Sequence, residues 1–237
     1  ELAPFLMLVE DKLKQGVEPL TAYQIACQAI LCSPGFLYLN LGEGNLDEIS
    51  LASRLSYFLW SSPPDTPLLE LAAAGQLKRN LSEQVNRMLD DPRAWRFVQH
   101  FVRRWLDLDN IGTMPPAEDF LVYYRDNLEQ AMREETESFF YHIMKNNLSL
   151  SEFLGADYSF LNRELALHYG ITGVQGNQLQ RITLNGHQRG GILGHGSFLT
   201  ASANGVDTSP VVRGIYVLEK INILKAQSLF YLLLLVL

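Results

Sequence analysis

The sequence predicts an all-α protein, an irregular multi-helix bundle with one long central helix and a glycine-rich C-terminal helical module. Apolar residues recur every three or four positions along most of the chain, which is the spacing of a buried helix face. No sustained alternation of apolar and polar residues appears, although the short stretch 179–184 is a candidate strand. Paired prolines at 63–64 and 115–116 interrupt the pattern and separate the predicted helices.

Caps and breakers define the helices in the first half of the chain. Thr21 is the predicted cap of a helix over 22–32, which ends at the Ser-Pro-Gly turn at 33–35. Asp47 is the predicted cap of the next helix, over 48–60. Further helices are predicted at 67–74, 80–89 and 92–108.

The longest predicted helix runs over 119–146, where apolar residues repeat at intervals of three and four. Shorter helices are predicted at 158–169, 188–200 and 210–224, and 173–186 is rich in Gly, Gln and Asn and predicted to be a loop. Ser209-Pro210 is predicted to cap the last helix, because proline is favoured directly after an N-cap.

Charge and composition exclude some classes of protein. The net charge of −7 argues against nucleic-acid binding, which favours basic surfaces. The C-terminal apolar run 229–237 is shorter than the roughly 20 residues of a spanning helix, so a membrane anchor is not expected. Cys27 and Cys32 lie in an apolar run and are predicted to be buried thiols. Neither has the spacing of a zinc site or belongs to a Cys-x-x-Cys-His haem attachment sequence.

Two charged residues fall at positions predicted to be buried. Arg54 lies in the middle of a helix that is apolar on nearly every side, and Glu135 lies on the apolar stripe of the longest helix. Because an unpaired buried charge is costly, Arg54 is predicted to form a structural ion pair with Glu135 or Glu134. Glu135 and His142 are seven residues apart and lack the Glu-x-x-His spacing of di-iron bundles, so no metal site is predicted.

The segment 189–214 carries the densest set of polar side chains and glycines. It fits neither a nucleophile elbow, nor a dinucleotide-binding turn, nor a P-loop. Each of its glycines at 190, 191, 194 and 196 lowers helix propensity, so tight packing or a close ligand must compensate for them. Because glycine has no side chain, these positions predict the close approach of another backbone. A candidate pocket for an anion or a partner loop is predicted from six residues: Arg189, His195, Ser197, Thr208, Ser209 and Arg213.

Five segments resemble one set of modules. They are LASRLSYFLW (51–60), MREETE (132–137), YSFLNRELALHYG (158–170), RGGILGHGSFLT (189–200) and TSPVVRG (208–214). Together they resemble the planctomycete-type cytochrome-c-associated proteins, which are large exported proteins built from several domains of unknown function.

The resemblance implies a division of the chain into four segments. Residues 1–45 resemble the end of an upstream helical module, 46–172 the central module and 173–221 the following module, whereas 222–237 depart from the family as an apolar tail that is truncated or divergent. In these proteins a c-type haem domain often precedes the modules, so haem c is expected in an upstream domain and no cofactor in this chain. The resemblance further implies a periplasmic or cell-envelope setting, although this chain carries no recognisable signal peptide.

Two functions remain open from the sequence. The first is a helical scaffold or binding module that positions a haem domain, a partner protein or a polymeric substrate in c-type cytochrome electron transfer. The second is a part of an oxidoreductase or hydrolase that uses the predicted pocket around His195. Burial of His195 with its ring nitrogens bonded to backbone would favour the first function. Convergence of Arg189, His195, Thr208 and Arg213 on one solvent-accessible cleft would favour the second.

Overall fold

The computed structural model describes residues 2–38, 45–113, 127–184, 189–203 and 209–221. Helices and one small two-stranded sheet make up its regular secondary structure in the described residues, so the predicted all-α class is confirmed. The chain divides into two compact units, Glu1–Ser50 and Leu51–Leu237. None of the described helices combines the length and apolarity that crossing a bilayer requires.

The first unit is built on two helices, α1 (Ala3–Lys14) and α2 (Pro19–Leu31), followed by the short α3 (Pro34–Leu37). Val9 of α1 packs with Ala22 and Ala26 of α2, and small side chains at this contact let the two helices approach closely. Proline occupies the first position of α2, and the cap is the Glu18 carboxylate, which accepts a hydrogen bond from the Thr21 N–H at 3.0 Å. The predicted cap at Thr21 was therefore wrong by three residues.

The two cysteines are exposed rather than buried. The prediction failed because the buried face of α2 is narrow and is formed by Ala22 and Ala26. Cys27 lies within α2 but outside this buried face, and Cys32 is the residue that follows the helix at its C-cap.

The second unit contains nine α-helices and two strands within its described residues. They are α4 (Glu48–Trp60, which begins in the first unit), α5 (Thr66–Ala73), α6 (Leu81–Asp90), α7 (Trp95–Trp105), α8 (Leu128–Lys145), α9 (Glu152–Gly155), β1 (Tyr158–Leu161), α10 (Arg163–His168), β2 (Gln180–Thr183), α11 (Gly196–Ala201) and α12 (Pro210–Lys220). Short 3₁₀ turns precede α7 and α11, at Pro92–Ala94 and Ile192–Gly194. Ser209 caps α12 as predicted, since its hydroxyl accepts from the Val212 N–H.

Helix α8 organises this unit, because α7, β1, α10 and α11 all pack against it. Its inward face bears both apolar and polar buried residues: Leu128, Ala131, Met132, Glu135, Thr136, Glu137, Phe139 and Ile143. Phe139 packs with Ile143, Ala156 and Tyr158 in one cluster, and Met132 joins Leu161 and Leu165 in another. The predicted helix over 119–146 is confirmed from Leu128 onward, and 119–126 lie outside the described residues.

The small sheet corrects the prediction of a continuous helix over 158–169. Residues 158–161 instead form β1, which pairs antiparallel with β2 so that Tyr158 faces Thr183 and Leu161 faces Gln180. Asn162 then caps α10, since its side chain accepts from the Leu165 N–H at 2.9 Å. The candidate strand over 179–184 is confirmed as β2.

The predicted helix over 188–200 was also wrong in its first half. Gly191 adopts φ 57° and ψ −174°, which is incompatible with a helix, and α11 begins only at Gly196. The glycines do allow close backbone contact, as predicted. The N–H of Gly191 donates to the carbonyl of Ala156 at 3.2 Å, so this segment lies directly against the chain that follows α9.

Candidate functional site

A buried polar cluster lies where α8, β1, the end of α10 and the start of α11 meet. Helix α8 contributes Glu135 and Thr136, which are 1 % and 0 % exposed. Strand β1 contributes Ser159, and Tyr169 follows α10 at its C-cap. The glycine-rich segment contributes the remaining residues, because the turn at Ile192–Gly194 places His195 and the start of α11 against α8.

The Glu135 carboxyl group is held by two hydroxyl groups. Ser159 donates to Oε1 at 2.6 Å, and Tyr169 donates to Oε2 at 2.5 Å. The Tyr169 oxygen in turn accepts the backbone N–H of Gly196 at 2.6 Å. A β-carbon at position 196 would lie 2.8 Å from that oxygen, so the absence of a side chain there allows the contact. One chain of hydrogen bonds thus ties α8 to β1, to α10 and to α11.

Burial dominates the electrostatics of Glu135. Loss of hydration raises its pKa to about 7, and the hydrogen bonds from Ser159 and Tyr169 and the charge of Arg189 only partly offset this rise. Arg189 does not contact the carboxylate; its guanidinium lies over the Tyr169 ring, 3.9 Å from the centroid. Burial, reinforced by the neighbouring Glu135, likewise raises the pKa of the Tyr169 hydroxyl well above its ordinary value. The Tyr169 hydroxyl therefore keeps its proton at neutral pH, whereas Glu135 gains or loses its proton in this range.

His195 lies at the other end of the cluster and is 2 % exposed. Its Nδ1 atom is 3.0 Å from Thr136 Oγ1, which is itself 2.5 Å from Ser197 Oγ. The ring packs against Phe139 in an edge-to-face contact with centroids 4.8 Å apart. Burial, followed by the charge of Arg189, lowers the pKa of His195 to about 3, so the ring is neutral at physiological pH.

The second nitrogen of His195 is buried without a partner. Nε2 makes no hydrogen bond to any residue that the structure describes. We assign the proton of the neutral ring to Nδ1, because the other tautomer would bury an N–H donor without an acceptor. Nε2 is then an acceptor lone pair that faces the protein interior.

The candidate pocket predicted from the sequence does not form as one site. His195 and Ser197 meet at Thr136, but Arg189 donates to the carbonyl of Gly194 at 2.9 Å and packs over Tyr169. Arg213 lies elsewhere and donates to Ser202 Oγ at 3.2 Å and to the Leu199 carbonyl at 3.4 Å.

Two members of the predicted pocket remain. Ser209 is the cap of α12, and Thr208 lies outside the described residues. Arg189 and Arg213 were predicted to bind an anion together. Both instead donate hydrogen bonds within the protein, Arg189 to a backbone carbonyl and Arg213 to Ser202 and a backbone carbonyl.

The predicted ion pair between Arg54 and Glu135 was wrong. Arg54 is partly buried and forms no salt bridge with Glu135 or Glu134, whose carboxyl groups bond to other side chains. The hydroxyl groups of Ser159 and Tyr169 take the place of the expected cation at Glu135. The alternative partner, Glu134, accepts a hydrogen bond from Gln130 on its own helix.

The buried ion pair of α8 instead involves Glu137, which is fully buried. Arg103 of α7 donates to Glu137 Oε1 at 2.6 Å, and Gln99 lies 3.4 Å from the second oxygen. This pair joins α7 to α8. The sequence marked Glu137 only as one of three acidic residues at 134, 135 and 137 and offered no signal for its partner.

Sequence reasoning missed Thr136, Ser159 and Tyr169 as members of the buried cluster. Thr136 follows Glu135 directly on the buried face of α8, which was the available signal. Ser159 is uncharged and lies in a segment interpreted as helix, and Tyr169 appeared to be a residue at a helix end. Their partners are 24 and 34 positions away in sequence, beyond the reach of any local pattern.

Burial limits what this arrangement can do chemically. A carboxyl group with a pKa of about 7 next to a tyrosine has the proton affinity of a general acid or base. A general acid or base must also reach its substrate, whereas Glu135, Thr136, His195 and Ser197 are each at most 2 % exposed. Tyr169 is the partly exposed member of the cluster, and its hydrogen bonds join α8 to the end of α10 and the start of α11.

The pH dependence of stability is expected to distinguish Glu135 from His195. Glu135 has an ordinary pKa of 4.5 and a folded value of about 7, so it contributes stability that is full below pH 4.5 and is lost as the pH rises through 7. The pKa of His195 falls from 6.5 in the unfolded chain to about 3 in the folded protein. The neutral ring therefore contributes stability that is present above pH 6.5 and is lost as the pH decreases towards 3. The two effects oppose each other in the mildly acidic range.

Glu135→Gln should remove the first effect and keep the second. Its free energy of unfolding, minus that of the wild type, is expected to rise between pH 4.5 and 7 by up to about 1.4 kcal/mol per pH unit. Urea denaturation followed by circular dichroism at closely spaced pH values measures this difference. Glu134→Gln on the outer side of α8 is the matched control, and an equally flat difference for both variants would contradict the assignment.

Comparison with known proteins gives one match. No curated protein and no solved structure matches the chain. A family model for a protein of unknown function (DUF1592) matches residues 46–171, which is more than half of the chain and includes α4 to α10 with Glu135, Ser159 and Tyr169. This chain therefore belongs to the DUF1592 family of proteins of unknown function.

Proposed function

We propose that this chain is a helical scaffold or binding module of an exported, multi-domain protein that takes part in c-type cytochrome electron transfer. The observation that carries the scaffold part is the closure of the buried cluster. Glu135 and Thr136 of the family domain bond to Ser159, Tyr169 and His195, and of these five side chains only Tyr169 is partly exposed. Such a network fixes how helices and strands are joined, which is what a scaffold requires.

The proposed link to a c-type cytochrome is supported by the sequence segments around 51–60, 132–137 and 158–170, which resemble the cytochrome-c-associated proteins. The residues of this chain do not fit covalent haem attachment, because Cys27 and Cys32 are five positions apart and neither precedes a histidine. In this proposal the haem is carried by another domain or by a partner protein. The proposed location is the periplasm or cell envelope, because the cytochrome-c-associated proteins that this chain resembles are exported.

An NMR titration tests the cytochrome partner. The ¹⁵N-labelled chain is titrated with an isolated c-type haem domain from a multi-domain protein that carries this family domain. We expect a contiguous set of amide signals to shift or broaden in proportion to added haem domain, and free haemin to produce no Soret shift. Unchanged amide spectra at a saturating concentration of the haem domain would contradict the proposal, as would a haem complex formed by this chain alone.

A second candidate, an oxidoreductase or hydrolase centred on His195, is favoured by one observation. The unpartnered Nε2 atom and the carboxyl group of Glu135, with its pKa of about 7, belong to the same buried cluster. This function would require the cluster to open to a substrate.

Diethylpyrocarbonate separates the two candidates, because it modifies accessible neutral imidazoles. We expect His100 and His168, which are exposed, to react in the folded protein while His195 stays protected. Modification of His195 as fast as that of the exposed histidines would favour the enzyme. Peptide mass spectrometry after brief exposure measures all three sites in one sample.

A further inference from the structure

A pocket of about 240 Å³ lies at the C-terminal end of α8, on a different face of that helix from the buried cluster. Ser138, Tyr141, His142 and Lys145 of α8 form one side of it. Trp95, the first residue of α7, and Phe160 of β1 form the other. The residues come from three elements that pack together in the fold, so the pocket is part of the folded unit.

The walls of the pocket are aromatic and meet at angles. Trp95 and Tyr141 form an edge-to-face pair with centroids 5.3 Å apart and an interplanar angle of 80°. His142 and Phe160 are 5.4 Å apart and inclined at 55°. A flat aromatic ligand would need parallel walls to stack between. Inclined rings suit a puckered ring, whose C–H groups can meet the negative face of an aromatic side chain.

Three polar groups of the pocket make no hydrogen bond to any residue that the structure describes. They are the indole N–H of Trp95 and the hydroxyl groups of Ser138 and Tyr141. All three residues are only partly buried, so a ligand can reach them. Together they offer one N–H donor and two hydroxyl groups that both donate and accept, which matches a ligand rich in hydroxyl groups.

The charges around the pocket favour a neutral ligand. Lys145 is the lining residue with a full charge, and its ammonium group is 2.6 Å from Asp90 Oδ1. Burial, followed by the nearby charge of Arg181, lowers the pKa of His142, so the ring is neutral at physiological pH. A cationic ligand would be repelled by Lys145, and no carboxylate lines the pocket to attract it. An anionic ligand would have to compete with Asp90 for the Lys145 ammonium group.

We propose that this pocket binds a single pyranose ring of a neutral saccharide. Its volume is below the range of about 300–1,000 Å³ typical of drug-sized ligands, which is consistent with one sugar ring. Inclined aromatic walls pack against the C–H face of the ring, while Trp95, Ser138 and Tyr141 bond its hydroxyl groups. The site would let the module hold a polysaccharide, and it does not depend on the proposed cytochrome partner.

Saturation-transfer NMR on the full chain tests the proposal. The probes are cellohexaose, maltohexaose and chitohexaose, with tetramethylammonium and methyl phosphate as the charged alternatives, since each of these carries C–H protons that report binding. We expect saturation of the ring protons of at least one hexasaccharide and none of the charged probes. Absence of transfer to all three saccharides overturns the proposal, and so does preferential binding of either charged probe.

Variants localise the binding. Trp95→Ala should weaken it at least tenfold, and Tyr141→Phe, which removes only the hydroxyl group, should weaken it severalfold while the melting temperature is retained. Tyr57→Phe at an exposed tyrosine of α4 is the matched control and should leave affinity unchanged. If Trp95→Ala does not fold, Ser138→Ala and Tyr141→Phe decide the result. Unchanged affinity in both would overturn the site.

Discussion

Replacing Gly191 with alanine is expected to destabilise the second unit by roughly 3 to 5 kcal/mol. A β-carbon at this position would lie 2.5 Å from the carbonyl oxygen of Phe153 and 2.7 Å from the carbonyl carbon of Leu154. Both are backbone atoms, so no side-chain rotation can relieve the clash. Gly191 also has φ 57° with ψ −174°, a conformation that is essentially confined to glycine. The variant would push His195 and Ser197 away from Thr136, because all three depend on this approach.

Gly170→Ala is the matched control for the conformational part of this cost. Gly170 has φ 72° but open space where a β-carbon would lie, so alanine there should cost roughly 1 to 2 kcal/mol. Urea denaturation of both variants gives the difference. If Gly191→Ala is too unstable to purify, soluble yield and protease resistance in cell extracts can be compared with the control. Equal losses in the two variants would show that the backbone contact at Gly191 contributes nothing beyond its dihedral angles.

Most helices could be predicted because their signals are local. The repeat of apolar residues along α8 and the Ser209-Pro210 cap each lie within a few residues of the element they define. Strand β1 was missed because its four residues are followed directly by α10, and its strand conformation depends on pairing with β2 some twenty residues later. A helical pattern of apolar residues fits that stretch equally well when the partner is unknown.

The candidate site shows the same limit in its side chains. The apolar stripe of α8 correctly placed Glu135 in the interior, where a carboxyl group needs partners. Charge complementarity then predicted Arg54 as the partner of Glu135. In the structure the hydroxyl groups of Ser159 and Tyr169 bond the carboxyl group, and its raised pKa reduces its charge, so no cation is needed. Which solution is used depends on tertiary contacts between α8, β1 and α10, and those contacts have no counterpart in local sequence.

Replacing Arg103 with alanine is expected to destabilise the second unit by about 3 kcal/mol, because it leaves the fully buried Glu137 without its cation. Gln99 lies 3.4 Å from one carboxylate oxygen and cannot neutralise the charge. Arg104→Ala, at the neighbouring exposed position on α7, removes a similar side chain and should change the free energy of unfolding by less than about 0.5 kcal/mol.

Glu137→Gln in the Arg103→Ala background distinguishes a lost charge pair from lost packing. A neutral amide can stay buried next to Gln99 at a lower cost than a carboxylate, so the double variant should recover part of the stability lost in Arg103→Ala. The double-mutant cycle then gives a coupling energy well above the value of a surface ion pair. Additive losses would mean that Arg103 stabilises α7 through its aliphatic stem alone. In that case the contact between α7 and α8 would rest on their aromatic residues, such as Phe101 and Phe140, whose rings are 5.3 Å apart.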